Sequence, residues 1–405
     1  MTLNNTVFQP VLKELYPDGS IERDLYKNHA LLGMIPKKQN FQGEHVKVPI
    51  QYGRSQNRSA TFANAQGRGS ANKYDAWLLT MKRNYGFADI DNLTIESSKT
   101  NKGAFVDAVS EAMNGAIDGL ARNHNIDLYR DGNGRIGQRA SVSGSTLTLS
   151  QVQDITSIEV DQVLVASPNL DGSSARTGTI TVLTVDRDAG TFTFSGTITG
   201  FADNDYLFFQ GDIANKLSGL ASWIPDTAPT SSLFYGVDRS VDVTRLGGIR
   251  FDGSTLSHRE ALFRASVRLD REGATPDYTF MNPDNYAALL SELETDAMYD
   301  KAQAKFLGKT DYGISYNALV VNGPRGVIRV ISDRDCPVGK SYMLTMDSLV
   351  LYSIGEPVRV FDLDGTPMLR QATADGVEIR CFSYSNLVVK SPGHNAVITL
   401  TDLLV

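Results

Sequence analysis

The sequence predicts an α+β protein that carries an inserted all-β domain. Three observations predict it. One helical pattern runs from Ser97 to Asp131, long for a globular protein. From Arg139 to Asp212 there is almost no helical pattern, only short alternating apolar runs between turn residues. Beyond Ile213, helix and strand patterns alternate again. The 405 residues suffice for two or three domains, and 35 glycines imply many turns rather than a helical bundle.

Composition excludes several classes. No run of about 18 apolar residues is present, so no membrane-spanning helix is expected. Met1 to Tyr16 lacks the basic region and apolar core of a secretory signal. A net charge of −7 argues against the basic field of a nucleic-acid binder. Cys336 and Cys381 are the only cysteines, which fits a reducing compartment without a disulfide framework.

Residues 1–40 read as an arm. Its apolar patches (Val11, Leu12, Leu15; Leu25, Leu31, Leu32) are interrupted by prolines and glycines and cannot close a core. Residues 41–90 read as an extended hairpin. Val46, Val48, Ile50 and Tyr52 alternate, with Pro49 marking an edge strand, and Trp77, Leu79 and Met81 alternate on the return. Between the legs, Gly53 to Tyr74 is polar and holds Arg54, Arg58, Arg68 and Lys73 with no acid. So long a segment is either a surface loop or a hairpin tip that becomes ordered on a neighbouring molecule.

A strand from Tyr85 to Ile95 leads into the long helix, which anchors residues 91–138. Thr100 and Asn101 offer N-cap oxygens and Gly132 a C′ position. Phe105, Val109, Met113, Ile117 and Leu120 share an apolar face; Asp107, Glu111, Asp118 and Arg122 a polar one. Along one edge lie Ala108, Ala112, Gly115 and Gly119. Glycine inside a helix costs up to about 1 kcal/mol relative to alanine, so this stripe is expected to let another backbone pack closely. Asn123, His124 and Asp127 fall on the apolar side, so the amphipathic pattern fades over the last turns.

Residues 139–212 form the inserted β-domain, a small sandwich or barrel. Residues 213–250 return to the first unit. In residues 251–355, Ser257-x-x-Glu260 is a capping box and Asn282-Pro283 a second helix start. Strands are expected over Leu319 to Ile331 and Tyr342 to Tyr352, and in residues 356–405 over Val377 to Val389 and Ala396 to Leu400.

Near-matches to catalytic motifs fail on context. Gly132-Asn133-Gly134-Arg135-Ile136-Gly137 has dinucleotide-fingerprint spacing but follows a helix instead of opening one. Gly339-Lys340-Ser341 and Gly308-Lys309-Thr310 lack the earlier glycine of a phosphate loop. The five histidines show no paired metal spacing. Asp362-x-Asp364 and Asp203-Asn204-Asp205 read as turns. No catalytic residue, cofactor or metal is therefore expected.

Three stretches in the second half carry a resemblance. They are Asp277-Tyr278-Thr279-Phe280-Met281-Asn282-Pro283, the run Gly326 to Leu344 with its Asp333, Asp335, Pro337 and Gly339 turn, and the end from Glu378 to Ile398. Together with the order arm, extended loop, long helix and mixed domain, they resemble the major capsid proteins of tailed bacteriophages, whose fold is shared with encapsulins and the herpesvirus capsid floor. The resemblance covers nearly all of the chain except the β-insert.

It implies a shell protein of a tailed double-stranded DNA phage, assembled as hexamers and pentamers into an icosahedral virion capsid in the host cytoplasm. The arm and hairpin would reach over adjacent subunits. The helix would be the spine of a peripheral domain, completed by residues 213–250 and 356–405, and residues 251–355 would be mostly the axial domain. Inter-subunit contacts would fall on Arg54, Arg58, Arg68, Lys73 and Trp77. The implied partners are other copies of the chain, a portal, and packaged DNA held without sequence-specific contacts. A separate scaffolding protein is expected because the arm is far shorter than the scaffolding segment of some relatives; a cement protein is left open. Lys–Asn cross-links are not expected, since no partner for Lys73 can be placed. The alternatives are a phage tail or adhesion protein and a hydrolase with an appended β-domain.

Overall fold

The computed structural model describes residues 29–39, 41, 43–55, 57–67, 71–92, 102–295, 319–361, 368–371 and 375–401; within the long helix, side chains are described from residue 113. The sequence-predicted cap residues Thr100 and Asn101, together with Arg68, Gly308-Lys309-Thr310 and Asp362-x-Asp364, lie outside the described residues.

The chain opens with helix α1 (Ala30–Met34) and strand β1 (Lys37–Lys38). The hairpin follows as β2 (His45–Gly53), α2 (Phe62–Gly67) and β3 (Lys73–Thr80). Strand β4 (Lys82–Asp91) leads to the long helix α3 (Lys102–Tyr129). Six strands make the insert: β5 (Arg135–Ser143), β6 (Thr146–Leu149), β7 (Val163–Ser167), β8 (Gly178–Asp186), β9 (Thr191–Ile198) and β10 (Tyr206–Phe209). Then come α4 (Leu220–Trp223), β11 (Leu233–Phe234), β12 (Val237–Asp238), α5 (Val243–Gly247), β13 (Ile249–Asp252), α6 (His258–Arg271), β14 (Tyr278–Met281) and α7 (Pro283–Thr295). The chain closes with β15 (Leu319–Gly323), β16 (Gly326–Ser332), β17 (Lys340–Leu344), β18 (Leu349–Ser353), β19 (Arg359–Val360), β20 (Met368–Arg370), β21 (Gly376–Val389) and β22 (Ala396–Thr399).

Two sheets and a barrel organise these elements. In the first sheet, the 14-residue β21 pairs antiparallel with β4 along its first part and with β18 along its last. β1, β19 and β20 complete it. The second sheet is mixed, in the order β13-β22-β17-β14-β16-β15. Its core takes Ala261, Leu262, Ala265 and Leu269 from α6 and Leu289 from α7. The expected caps are present: the Ser257 hydroxyl accepts from Glu260 N, and Asn282 Oδ1 accepts from Asp284 N at 3.1 Å.

Strand and sheet assignments differ from the expected ranges at three places. The stretch Tyr342 to Tyr352 is two strands, because a 3₁₀ turn at Met346–Ser348 carries the chain from the second sheet (β17) to the first (β18). The last strand, β22, lies between β13 and β17 in the second sheet, not with the first-sheet strands that precede it. The β-domain begins at Arg135, four residues earlier than its apolar pattern suggests, and it is a closed barrel in the order β10-β5-β6-β9-β8-β7. The barrel has its own core around Leu147, Leu164, Ile180, Val182, Phe192 and Leu207, separate from the cores of the two sheets.

Helix α3 lies across the first sheet through Met113, Ile117, Leu120, Ala121 and Leu128, all buried. The expected close approach does occur, but the glycines responsible are not on the helix. A Cβ on Gly86 of β4 would lie 3.3 Å from the carbonyl oxygen of Ala116. A Cβ on Gly219, just before α4, would lie 2.2–2.6 Å from the carbonyl oxygens of Asp127, Leu128 and Arg130. By contrast, a Cβ on Gly115 or Gly119 meets nothing within 4 Å, and both glycines are exposed. The small-residue stripe therefore packs against none of the described residues, because the apolar face that meets the sheet lies to one side of it. The side chains of Ala108 and Ala112 lie outside the described part of the helix.

Two expectations follow. Gly219→Ala should destabilise the protein by about 3 kcal/mol through overlap with three carbonyls, whereas Gly115→Ala should be neutral or up to about 1 kcal/mol stabilising, as denaturant unfolding would read. A fragment of residues 133–214 should fold alone, giving dispersed amide NMR signals and one cooperative transition.

Candidate functional site

The hairpin is a two-stranded ribbon in which β2 and β3 pair in one register from His45↔Thr80 to Gln51↔Tyr74, with a bulge before Gly53↔Lys73. Alternation divides its faces. Val48, Ile50, Trp77 and Leu79 are buried, while Lys47, Gln51, Arg54, Arg58, Lys73 and Tyr74 are exposed. Asn72 Oδ1 accepts from Ser55 N at 2.9 Å across the ribbon. At the far end, α2 buries no side chain and Phe62 is 83% exposed.

Trp77 requires a correction. It is fully buried inside its own chain and cannot serve as an inter-subunit contact. Its ring meets Trp223 edge-on at 5.1 Å and Phe234 at 6.1 Å. Trp223 in turn stacks on Tyr235 and donates from Nε1 to Leu387 O at 3.1 Å. Arg239 lies 4.0 Å above the Phe234 ring and donates to Ser222 O. Leu78 N donates to Tyr235 O at 2.9 Å. These contacts clamp the hairpin base to the body, so the tip projects from a fixed root. A cleft of about 960 Å³ separates the ribbon from Arg245, Lys390 and His394, and Arg245 reaches across to donate to Tyr52 O.

Of the remaining basic residues, Arg54, Arg58 and Lys73 are exposed on the distal ribbon. Arg54 and Lys73 line the same cleft as Asp242 and Glu272, carboxylates that are themselves paired with Arg245 and Arg268.

A buried polar junction that sequence reasoning missed lies at the end of α3. Asp333 and Asp335, in the turn after β16, are both buried. Tyr129 at the end of α3 donates to Asp333 Oδ2 at 2.9 Å, and Asn125 Nδ2 donates to Asp335 Oδ2 at 2.6 Å. The N-terminal segment docks on the same groups. Leu31 N donates to Asp333 Oδ2 at 3.3 Å, Leu32 N donates to Asn125 Oδ1 at 3.2 Å, and His29 Nδ1 stands 3.4 Å from Asp335. Helix α1 has no cap from its own N-cap side chain, so these groups satisfy its first N–H groups from elsewhere in the chain. Burial and the neighbouring Asp335 charge push the Asp333 carboxyl up. Burial alone would also raise Asp335, but His29 and Asn125 hold it below its ordinary value. The available signal was the pair of acids two residues apart before Pro337, together with polar residues on the apolar side of α3.

A second polar group closes the stem of the barrel. Lys216 stands 3.0 Å from Asp212 and 3.6 Å from Asp127, and donates to Asn84 Oδ1. Ala214 N donates to Asn133 O, joining entry to exit. Gly132 (φ +81) and Gly134 (φ +86) take left-handed turns there, and a Cβ on Gly134 would lie 2.5 Å from Asp212 O. The fingerprint-like glycines thus serve the stem. Arg130 pairs with Asp154 at 2.8 Å, and Arg122 bonds Thr156 O, seating the barrel on the end of α3.

The other motifs resolve into structure. Gly339 (φ +72) turns the chain into β17, Asp205 pairs with Arg176, and Glu292 accepts from His258 N and Arg259 N at the start of α6. Among the described residues, no group of three His, Cys, Asp or Glu side chains could hold a metal ion.

No protein-family model matches the chain, and no curated protein matches it. Among solved structures it is similar to the cyanophage A-1(L) capsid asymmetric unit, at 15% identity over 96% of each chain with a TM-score of 0.49. It is also similar to the holo-SrpI encapsulin complex of Synechococcus elongatus PCC 7942, at 10% identity over 96% of this chain and 94% of that one, with a TM-score of 0.45. A third neighbour is the virus-like particle from Pyrococcus furiosus, at 13% identity over 93% and 95%, with a TM-score of 0.38. Phage capsid and encapsulin shell proteins are the class named by the resemblance in the sequence.

His124, on α3 against Ser385, gives this region a pH dependence. Burial, followed by the charges of Lys216, Lys37 and His29, pushes its imidazole down to about 3. The unfolded chain protonates it near pH 6.5, so its contribution is complete above about 6.5 and is lost as pH falls toward about 3. Asp127, pushed up to about 6 chiefly by burial, works with the opposite sign, losing stability as pH rises through about 6. His124→Gln should therefore remove about 1.4 kcal/mol of destabilisation per pH unit from the acid limb, read as the difference between wild-type and variant urea unfolding at pH 7, 5 and 4.

Proposed function

We propose that this chain is the major capsid protein of a tailed double-stranded DNA bacteriophage, a structural rather than catalytic protein that assembles as hexamers and pentamers into the icosahedral shell. The observation that carries the proposal is the hairpin. Its root is clamped by Trp77, Trp223 and Phe234, while its tip, with Phe62 83% and Tyr74 65% exposed, is left uncovered by the described residues. A ribbon so held wastes its apolar tip unless a second molecule covers it. Closed assemblies use such projections because many weak contacts add to a stable whole.

In this reading α3 and the first sheet form the peripheral domain, and α6, α7 and the second sheet most of the axial domain. The segment around α1 is the body-bound end of an arm. The partners are other copies of the chain, a separate scaffolding protein and a portal. The packaged DNA is held by confinement and counterions rather than base contacts, and the particle is built in the host cytoplasm. No helix among the described residues is long and apolar enough to cross a membrane.

Electron microscopy of the purified protein, with and without its scaffolding partner, tests the reading. Closed spherical particles with five- and six-fold capsomers are expected; elongated trimers, open rings or a strict monomer would sink it. Neutralising Arg54, Arg58 and Lys73 to glutamine should cut particle yield about tenfold at low salt while leaving subunit unfolding unchanged, since exposed rim charges act on encounter more than on the fold.

A further inference from the structure

The barrel carries an unusual share of the charge. Residues 135–212 hold nine carboxylates, four arginines and no lysine, a net −5 of the chain's −7. Several of these acids are already neutralised. Asp154 pairs with Arg130, Glu159 with Arg187 and Arg122, Asp203 with Arg139, and Asp205 with Arg176. Asp161, Asp186 and Asp188 are exposed and have no ion-pair partner among the described residues.

These three acids share one end of the barrel. Asp161 N donates to Val182 O at 2.9 Å, which sets it beside β8. Asp186 and Asp188 lie in the turn between β8 and β9, where Arg187 reaches back to Glu159 at 2.7 Å. The same turn touches Val152, since a Cβ on Gly190 would lie 2.9 Å from the Val152 Cα. At this end the barrel also exposes three aliphatic side chains: Val152 at 43%, Val160 at 50% and Leu183 at 48%. This end of the barrel thus carries three exposed aliphatic side chains together with the three acids.

The hairpin tip has the complementary make-up. From Gly53 to Tyr74 it has four cations and no acid in sequence, and its two largest exposed side chains are aromatic, Phe62 and Tyr74. Aromatic anchors inside a charged rim are what association favours, with the apolar centre supplying affinity and the rim supplying register.

We propose that the hairpin tip of one copy docks on the acidic end of the barrel of a second copy. Phe62 and Tyr74 cover Val152, Val160 and Leu183, while Arg54, Arg58 and Lys73 face Asp161, Asp186 and Asp188. The occupant is a second copy because both surfaces are exposed within one chain, and because the tip's charge is opposite to that of the most acidic unit of the same sequence. The inference rests on the shell reading and assigns the inserted barrel a function within it, as the receptor for a neighbour's hairpin.

Charge exchange and cross-linking in the full-length protein test it. Reversal of the tip (Arg54→Glu, Arg58→Glu, Lys73→Glu) and reversal of the patch (Asp161→Lys, Asp188→Lys) should each lower particle yield about tenfold, and the chain carrying both sets should recover to within about twofold of wild type. Misfolding cannot produce that recovery. In particles co-assembled from Phe62→Cys and Val160→Cys chains, an intermolecular disulfide should form under mild oxidation; the native Cys336 and Cys381 are buried and do not compete. A Val327→Cys chain, exposed on β16, is the control that should not link. If wild-type chains form closed particles but the Phe62→Cys and Val160→Cys chains do not link, or charge exchange gives no rescue, the docking is overturned and the shell reading stands. Absence of closed wild-type particles would overturn both.

Discussion

Two buried carboxylates hold the parts of this protein together. Asp333 and Asp335 sit where the long helix ends, where the N-terminal segment enters and where the second sheet turns back. A buried charge is tolerated only when its hydrogen-bonding capacity is met, and removal of one partner typically costs several kcal/mol. Here Tyr129, Asn125, Leu31 N and His29 come from segments far apart in the chain; Leu31 and Asp333 are separated by 302 residues. The helix, the arm segment and the turn must all arrive for any one of them to be satisfied. The junction therefore makes the docking of the N-terminal segment conditional on the completed second sheet.

Around that junction the molecule divides its labour between rigid and projecting parts. The first sheet and α3 approach closely because strand and loop glycines, Gly86 and Gly219, yield space to the helix backbone. The barrel has a separate core and meets the body through a stem of Lys216, Asp127 and Asp212 and through two arginines of α3. The hairpin is clamped at its root by an aromatic cluster and bare at its tip. Rigid roots with bare ends suit association: the ordering of the ribbon is already met by the fold, so less is lost when a partner arrives.

Charge is segregated along the same lines. A net negative molecule keeps its densest positive charge on the most exposed ribbon and its densest negative charge on the inserted barrel. Among the described residues no ion pair joins these two regions. Opposite charges on separate projecting units favour encounter between copies and penalise pairing of like units. The exposed glycines of α3 fit the same picture of a subunit with uncovered surface, although nothing among the described residues packs on them.

The sequence by itself determined whatever depends on near neighbours. Alternation in Val46–Tyr52 and Trp77–Met81 marked the ribbon and its buried face, the caps at Ser257 and Asn282 marked helix starts, and the run of short strands marked the insert. These signals are local because they arise from backbone period and capping, which act over a few residues. Only the tertiary structure decided the rest. Trp77 sits inside rather than between subunits because Trp223 and Phe234, far along the chain, close over it. The strand at Ala396–Thr399 joins the second sheet because β13 and β17 leave a gap there. The polar residues at the end of α3 are buried because Asp333, Lys216 and Ser385 are brought to meet them. No short-range pattern encodes such meetings; they follow from the path of the whole chain and the requirement that buried polar groups find partners.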